Sequence, residues 1–320
     1  MKKSQLGWLL VFLLTFLNIG FWLLYPQKTT ALYQVELVDA IELPLPKSPA
    51  VKLTNQFPEL TAQAIYALDL NSLTVLYEKN ADTPLYPAST TKMMTALVAV
   101  DHFDLGQELT VVSEATTAGT RLPLFPGQKM SVGDLLASMM IASANDSAYL
   151  LANHYPGGMT AFVQAMNQRA LALGLEQTRF SNPAGLDESE QQSSARDLTV
   201  ITRELLKNDF LRELVATPYL EIPSQMQNMP VYQLRSTNQL FGLIGGIKGV
   251  KTGTTELAGE VLITLIERDG HQILITLMNS QDRYADTSQL VQWIFNNYEW
   301  RELSLTQYNT AADYAESNQF

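Results

Sequence analysis

The chain turns from extended to helical structure within the stretch Pro87-Ala-Ser-Thr-Thr-Lys-Met-Met-Thr-Ala-Leu97. Pro87 ends extended structure, and the following run, rich in Met, Ala, Leu and Val, predicts a helix over residues 89–100. Ser89 and Lys92 are three residues apart, which places both side chains on one helix face with Cβ atoms about 5–6 Å apart. A serine at a helix start is a candidate nucleophile, because the backbone N–H groups there favour negative charge.

Two further short motifs follow in order, Ser143-Ala-Asn145 and Lys251-Thr-Gly253. The first falls between two predicted helices, and such a loop mounts polar side chains stiffly. The second ends a β-rich stretch. Another Ser-x-Asn motif, Ser236-Thr-Asn238, has no flanking helix pair and is interpreted as a set of polar loop residues. Each motif alone is more often a cap, a turn or a solvated strand end, but their order and contexts together favour a catalytic site.

The three motifs together can activate a serine without histidine. A serine hydroxyl is a weak nucleophile that needs a base within reach. Lys92 is the candidate base if its pKa falls from about 10.4 toward 7–8. Burial and a neighbouring cation both lower the pKa of a lysine, and Lys251 would be that cation. Ser143 can relay a proton between the lysine and a leaving amine, and Asn145 can donate to a substrate carbonyl and hold Lys92.

The residues around Lys251 suit substrate binding. Gly253 lets another chain approach the backbone closely, so an extended substrate can pair along this strand edge. Thr252 and Thr254 add hydroxyl donors. The backbone N–H groups of Ser89 and Thr254 are candidates for an oxyanion hole.

Apolar patterning predicts strands at both ends of the domain and helices between them. Asn71-Ser72 and Asp269-Gly270 mark two hairpins, and Ser131 with Asp134 resembles a capping box that opens a helix. The predicted strands are 64–70, 73–77, 247–252, 260–267 and 272–278, and the predicted helices are 89–100, 132–141, 146–154, 159–173, 194–207, 210–215 and 284–298. This order predicts an α+β fold, an antiparallel β-sheet flanked by helices.

The N-terminal segment predicts membrane association. Lys2 and Lys3 precede an apolar run, 6–25, of about the length that spans a hydrocarbon core. Positive charge before the run predicts that the bulk of the chain lies outside the cytoplasm. Residues 1–25 are therefore interpreted as an N-terminal membrane anchor, and a cleaved signal segment ending near Thr29-Thr-Ala31 stays open.

The remaining boundaries follow from composition. Residues 26–60 carry five prolines and no helical period, so they are predicted to form an extended linker. Residues 61–300 hold the globular patterning and form the predicted catalytic domain. Residues 301–320 are a polar C-terminal tail.

Composition excludes several function classes. The 320-residue chain has a net charge of −11 and no basic cluster, which excludes nucleic acid as a predicted partner. Without cysteine, disulfides and thiolate metal sites are excluded. His102, His154 and His271 lie far apart with no ligand spacing. No thiolate or histidine metal site is therefore predicted.

These segments resemble one enzyme family from about residue 64 to residue 300. The similar segments are Leu76-Tyr-Glu-Lys-Asn-Ala81 with 87–97, Val132-Gly-Asp-Leu-Leu136 with Ala142-Ser-Ala-Asn-Asp-Ser147, Phe180-Ser-Asn-Pro-Ala-Gly-Leu186, and Gly249-Val-Lys-Thr-Gly-Thr-Thr255 with Ala258-Gly259. The chain resembles the low-molecular-weight penicillin-binding proteins that act as serine-type D-alanyl-D-alanine carboxypeptidases. The resemblance implies a transpeptidase-like domain, a fold shared with serine β-lactamases.

The resemblance also implies roles for the matching residues. Ser89 would be the acylated nucleophile, Lys92 its proton acceptor and Ser143 a proton shuttle supported by Asn145. Lys251 would supply positive potential for the substrate's terminal carboxylate. The implied substrate is a peptidoglycan stem peptide ending in D-Ala-D-Ala, and β-lactam antibiotics would be covalent inhibitors. The resemblance implies no metal or cofactor. The implied location is the bacterial cell envelope, on the extracytoplasmic face of the cytoplasmic membrane, or outside the cell if the segment is cleaved.

Two departures and three alternatives stand beside this interpretation. About twenty residues follow Trp300, too few for the second β-rich domain of many members, so the N-terminal segment is expected to provide the anchor. Thr254 stands where a bulkier residue is more usual. A D,D-endopeptidase that cuts peptidoglycan cross-links differs only in pocket shape. A β-lactamase is disfavoured because the Glu-x-x-Leu-Asn word of one major class is absent, and a non-catalytic wall-binding membrane protein would not need the full set of catalytic residues.

Overall fold

The computed structural model describes residues 47–52, 57–112, 119–223 and 231–301. Contacts divide the chain into Met1–Pro44 and Leu45–Phe320, and every described residue belongs to the second unit. The predicted anchor, most of the predicted linker and the tail after Arg301 lie outside the described residues. In the part of the chain that is described, no helix has the length and apolar character needed to cross a membrane.

The order of elements follows the predicted pattern of strands, helices and strands. The strands are β1 (Ser48–Val51), β2 (Ala64–Asp69), β3 (Val75–Lys79), β4 (Glu108–Thr110), β5 (Lys129–Ser131), β6 (Tyr219–Ile222), β7 (Tyr232–Arg235), β8 (Ile247–Thr255), β9 (Gly259–Arg268), β10 (His271–Ser280) and β11 (Tyr298–Arg301). The helices are α1 (Lys92–His102), α2 (Val132–Ile141), α3 (Asn145–His154), α4 (Gly158–Ala172), α5 (Ala195–Leu205), α6 (Asp209–Ala216) and α7 (Arg283–Asn297).

A five-stranded antiparallel sheet with the order β3-β2-β10-β9-β8 forms the centre of the fold. Every residue of β2 is buried. Ala64, Tyr66 and Leu68 pack into one core with α1 to α6, while Ile65 and Ala67 pack into a second core with α7. Alternate side chains of a strand point to opposite faces, so helices on both faces explain the continuous apolar run. The α+β prediction is confirmed.

Two polar capping contacts confirm the predicted helix start at Ser131. The side chain of Ser131 accepts a hydrogen bond from the N–H of Asp134 over 3.0 Å. Its hydroxyl also donates to the Asp134 carboxylate over 2.7 Å. The cap satisfies a backbone donor that has no partner inside the helix. It fixes the start of α2, the helix that leads to the Ser143 loop.

The short strands were not predicted, and each depends on a distant partner. β1 lies in the stretch predicted as an extended linker, yet it pairs antiparallel with β11, with Ser48 opposite Arg301. The pairs β4–β5 and β6–β7 also form ribbons of three or four residues. Strands of three or four residues are at or below the shortest run from which alternation predicts a strand, although β7 does alternate between buried and exposed residues.

One buried carboxylate ties the start of β2 to the far end of the domain. Asp286 in α7 accepts hydrogen bonds from the N–H groups of Thr61 and Ala62 over 2.9 and 2.8 Å. It also accepts from the hydroxyl groups of Thr61 and Ser280 over 2.7 and 2.6 Å. The first strand of the sheet is therefore held by a residue more than two hundred positions later.

Replacing Asp286 with Asn is expected to lower the free energy of unfolding by about 2–4 kcal/mol, because buried donors lose their acceptors. The matched control is Asp101→Asn, an exposed aspartate 3.8 Å from Arg169. That variant is expected to stay within about 1 kcal/mol of the wild type. Urea unfolding followed by circular dichroism measures both variants, and equal losses in the two would contradict the prediction.

Candidate active site

Ser89 lies in a 3-10 turn, Ala88–Thr91, from which the chain runs directly into α1. Ser89 is partly exposed, whereas Ala88 and Thr90 are buried. Ala88 has a φ of +47°, a conformation that costs a residue with a side chain about 1–3 kcal/mol. The Thr90 hydroxyl donates to the carbonyl of Pro87 over 2.6 Å and closes the turn. A strained but well-held turn thus presents the serine hydroxyl.

Lys92 is completely buried one turn after Ser89. Its Nζ atom donates to Ser89 Oγ over 2.8 Å and to the carbonyl oxygen of Ala184 over 2.8 Å. Burial lowers the pKa of Lys92 well below its ordinary value, and the charge of Lys251 lowers it further, whereas Asp146 opposes the shift. A lysine with a strongly lowered pKa is available as a neutral amine, which can accept the Ser89 proton.

Lys251 forms a second lysine–serine pair with Ser143. Lys251 is 1% exposed in β8, and its Nζ atom donates to Ser143 Oγ over 2.9 Å and to the carbonyl oxygen of Thr252 over 3.1 Å. Burial lowers the pKa of Lys251 to about 7, with a further contribution from the charge of Arg283. Ser143 itself has a φ of +61°, so the loop between α2 and α3 presents it in a conformation that few non-glycine residues adopt.

Asn145 is the first residue of α3 and is buried. Its backbone N–H donates to the carbonyl oxygen of Thr120 over 2.8 Å. Its side-chain Nδ2 lies 2.8 Å from the position that a Cβ on Gly119 would occupy. The segment that starts at Gly119 therefore packs directly on the Ser143 loop.

Strand β8 places Gly253 directly against the turn that carries Ser89. A Cβ on Gly253 would lie 2.8 Å from the backbone N of Ser89 and 2.8 Å from the Cβ of Ala88. No larger residue fits there without displacing the turn. β8 is also an edge of the five-stranded sheet, and its Thr252 hydroxyl shares a hydrogen bond with the hydroxyl of Thr237.

Arg283 is a further candidate functional residue that sequence reasoning missed. It begins α7, and its Nη1 atom donates to the carbonyl oxygen of Gly253 over 2.9 Å and to the Thr254 hydroxyl over 2.7 Å. Its side chain is 13% exposed, and Nε lies 4.0 Å from Glu260. Arg283 belongs to no recognisable sequence motif. It reaches the end of β8 because α7 starts soon after β10.

The segment Phe180–Leu186 packs against the serine turn and the first part of α1. Ala184 supplies the carbonyl acceptor for Lys92, and the Thr95 hydroxyl of α1 donates to the carbonyl of Pro183 over 2.6 Å. Asn182 Oδ1 accepts from the N–H groups of three residues, Ala184, Gly185 and Leu186. Sequence analysis identified this segment as family-like but predicted no contact to Lys92.

The second Ser-x-Asn motif lies beside the site, because its middle residue, Thr237, shares a hydrogen bond with Thr252 of β8. Ser236 and Asn238 form a local turn, in which Asn238 Oδ1 accepts from the N–H of Leu240 over 3.0 Å. The ring of His102 packs on Tyr155, and the ring of His271 stacks on Trp300. Among the described residues, no group of three His, Asp or Glu side chains is arranged to hold a metal ion.

The geometry suits acyl transfer. A serine hydroxyl, a buried amine within hydrogen-bond distance and a second lysine–serine pair converge between α1, the Ser143 loop and β8. Triads and their variants are recognised by such geometry and not by sequence position. The chain brings together residues from 89 to 283 to build it.

A family described as D-alanyl-D-alanine carboxypeptidase, peptidase family S11, matches residues 51–282. The chain is similar to the D-alanyl-D-alanine carboxypeptidase DacF of Bacillus subtilis, with 31% identity over 253 residues, 76% of this chain and 64% of that protein. It therefore spans somewhat under two thirds of the length of that relative. It is also similar to the D-alanyl-D-alanine endopeptidase of Escherichia coli K12, with 31% identity over 281 residues, 84% of this chain and 89% of that protein.

The fold is similar to the crystal structure of the Streptomyces K15 DD-transpeptidase. The TM-score is 0.72 and the sequence identity is 28%, and the similarity covers 76% of this chain and 100% of that chain.

Replacing Lys251 with Met is expected to stabilise the fold by roughly 1–4 kcal/mol at pH 7, because a buried ammonium is replaced by an apolar side chain of similar volume. Below the native pKa of about 7, Lys251 is protonated in both the native and the unfolded state. The stability gained by the Met substitution is therefore largest at low pH. The gain fades as the pH rises toward the unfolded value of about 10.4.

The matched control for this substitution is Lys248→Met, which changes an exposed lysine on the same strand. That variant is expected to stay within about 0.5 kcal/mol of the wild type. Urea unfolding at several pH values between 6 and 10 measures both. A destabilised Lys251→Met protein would show that the ammonium is held more favourably than its burial indicates.

Proposed function

The chain belongs to the D-alanyl-D-alanine carboxypeptidase family, and from this premise we propose that it removes the terminal D-alanine from peptidoglycan stem peptides through an acyl-enzyme on Ser89. The observation that carries the proposal is the 2.8 Å contact between the buried Nζ of Lys92 and Ser89 Oγ. Both the membership and this contact support a serine nucleophile with a lysine base.

In the acylation step, Ser89 Oγ attacks the carbonyl carbon of the penultimate D-alanine. The neutral amine of Lys92 takes the proton as the new C–O bond forms. The backbone N–H groups of Ser89 and Thr254 are the proposed donors to the oxyanion. The tetrahedral intermediate then collapses, the peptide C–N bond breaks, and free D-alanine leaves.

The leaving amine needs a proton, and Ser143 is placed to deliver one. An ammonium can only donate hydrogen bonds, so the bond from Lys251 Nζ occupies a lone pair of Ser143 Oγ. The hydroxyl proton of Ser143 remains available for the amine nitrogen. Ser143 then takes up the proton that Lys92 removed from Ser89, so Ser143 is again a hydroxyl and Lys92 is again a neutral amine when D-alanine leaves.

Deacylation repeats the chemistry with water as the nucleophile. Water attacks the acyl carbon, Lys92 takes one of its protons, and the ester bond to Ser89 Oγ breaks. Ser89 recovers its proton from Lys92, and the shortened peptide leaves with a free carboxylate. No cofactor takes part in these proposed steps.

The proposed contact for the substrate's terminal carboxylate lies at the end of β8. Lys251 is buried and bonded to Ser143 and Thr252, so it is proposed to contribute positive potential without contacting the carboxylate directly. The guanidinium of Arg283, which already bonds the Thr254 hydroxyl, has a planar fork that suits a carboxylate. The hydroxyl groups of Thr252 and Thr254 and the close approach allowed by Gly253 complete the proposed substrate site.

A D,D-endopeptidase that cuts peptidoglycan cross-links is the second candidate function. The observation in its favour is that the chain is 31% identical to the Escherichia coli endopeptidase, the same identity as to the Bacillus subtilis carboxypeptidase. Both activities use the same acyl transfer, and they differ in the leaving group.

Proteins of this class act on the cell wall, and we propose that residues 1–25 hold the domain at the extracytoplasmic face of the cytoplasmic membrane.

Ser89→Ala is expected to abolish covalent labelling by a fluorescent penicillin, because the nucleophile is missing. The protein should remain folded, with the free energy of unfolding lowered by about 1–3 kcal/mol because the buried Lys92 loses one acceptor. Ser288→Ala, an exposed serine on α7, is the matched control and should label normally. Gel fluorescence and mass spectrometry measure the adduct. Labelling of the Ser89→Ala protein would identify a different nucleophile.

The wild-type domain is expected to release free D-alanine from a pentapeptide ending in D-Ala-D-Ala at a higher kcat/KM than it cleaves a purified cross-linked muropeptide dimer. The physical reason is that free D-alanine is the smaller leaving group, whose carboxylate lies within reach of Arg283. Liquid chromatography of the products measures both reactions. Preferred cleavage of the dimer would favour the endopeptidase.

A further inference from the structure

A buried carboxylate that the proposed reaction does not use lies in the first turn of α3, a helix that packs on α1. Asp146 is 3% exposed and follows Asn145 directly in α3. Its Oδ1 and Oδ2 atoms accept the N–H of Leu122 over 3.0 and 2.9 Å. Oδ1 also accepts the N–H of Ser147 over 3.0 Å. These backbone donors favour the carboxylate form, whereas burial raises the pKa of Asp146.

The carboxylate holds one end of a segment that covers Asn145. Leu122 is bound by Asp146, and two residues earlier the Thr120 carbonyl accepts the N–H of Asn145 over 2.8 Å. Gly119, the residue before Thr120, has a φ of +84°, and a Cβ added to it would lie only 2.8 Å from Asn145 Nδ2. The segment 119–122 is therefore fastened to the start of α3 at two successive residues.

The same carboxylate also acts on Lys92 through its charge. The charged groups that face Lys92 are Asp146 from α3 and Lys251 from β8, while Arg283 from α7 acts on Lys251. Burial and Lys251 lower the pKa of Lys92, and Asp146 is the group that opposes them. The negative charge therefore limits how far the pKa of the base falls.

We propose that Asp146 is a positioning residue for acyl transfer, which fixes the segment 119–122 against Asn145 and whose negative charge acts on Lys92 across the contact between α3 and α1. The inference rests on the proposed function, since it concerns the same serine and the same base. The hydrogen bonds of Asp146 described above go to the backbone of Leu122 and Ser147, and not to Ser89. It acts through Asn145, which it holds in place, and through the protonation of Lys92.

The charge has a consequence with a definite sign. Lys92 must be neutral to accept the proton, so the acylation rate rises with pH through the pKa of Lys92. Asp146→Asn keeps the size of the side chain and removes the charge, which lowers the pKa of Lys92 further. The acidic limb of the rate profile should move to lower pH by about 0.5–1 unit. A purely structural role would lower the rate without moving the limb.

The experiment measures the rate constant for acylation of Asp146→Asn by a fluorescent penicillin between pH 5 and 9. The limb should shift to lower pH, and the plateau rate should fall about tenfold because Asn145 is less well placed. Asp197→Asn is the matched control. Asp197 is also a buried carboxylate in a first helical turn, where it accepts from the N–H of Gln177 and the hydroxyl of Thr178. Its variant should lose stability and leave the limb unshifted.

A second variant keeps the test decisive if Asp146→Asn does not fold. Gly119→Ala leaves the carboxylate in place and brings a Cβ against Asn145 Nδ2. Its plateau rate should fall while the limb stays at the wild-type pH. An unshifted limb in Asp146→Asn, or a wild-type rate in Gly119→Ala, overturns the proposal. Failure of the proposed function has a different signature, because the wild-type protein would then form no adduct at any pH.

Discussion

Lys92 and Lys251 are both removed from water, with exposures of 0% and 1%, and the charge of Lys251 lowers the stability of the charged form of Lys92. Burying one ammonium costs several kcal/mol, and a second one nearby adds repulsion. The surrounding structure must therefore supply fixed acceptors, and it does so with Ser89 and Ala184 for one lysine and Ser143 and the Thr252 carbonyl for the other. The same burial gives Lys92 the properties of a base.

The acceptors are held by elements that have little freedom to move. The serine turn is locked between Gly253 of β8 and the segment 180–186, and the Ser143 loop is held between α2 and α3. Two residues in this region, Ala88 and Ser143, have a positive φ. Strain of this kind persists only where the surrounding packing fixes the backbone. The helices and the sheet thus act as a frame that keeps two serine–lysine pairs together.

Local sequence signals predicted much of the fold. The parts that they failed to predict are those that depend on contacts between residues far apart in the chain. The helix at Val132–Ile141 was predicted with its observed bounds, since Ser131 and Asp134 mark its start and apolar residues fill its length. The pairing of Ser48–Val51 with Tyr298–Arg301 was missed because four residues carry no readable period. In the candidate site, motif residues such as Ser89 and Lys92 could be named from spacing. Arg283 and the Ala184 carbonyl could not, because one has no motif and the other is a backbone atom.

The ribbon formed by β1 and β11 has a topological consequence. Because Ser48 lies opposite Arg301, the two outermost described strands of the domain end side by side, well apart in sequence from the turn that carries the serine. A short peptide joining these neighbouring residues would close the chain into a ring without stretching it. New ends opened in a surface loop would then give a circular permutant, and we expect it to fold to the same sheet order because none of the pairings in the five-stranded sheet depends on where the polypeptide starts.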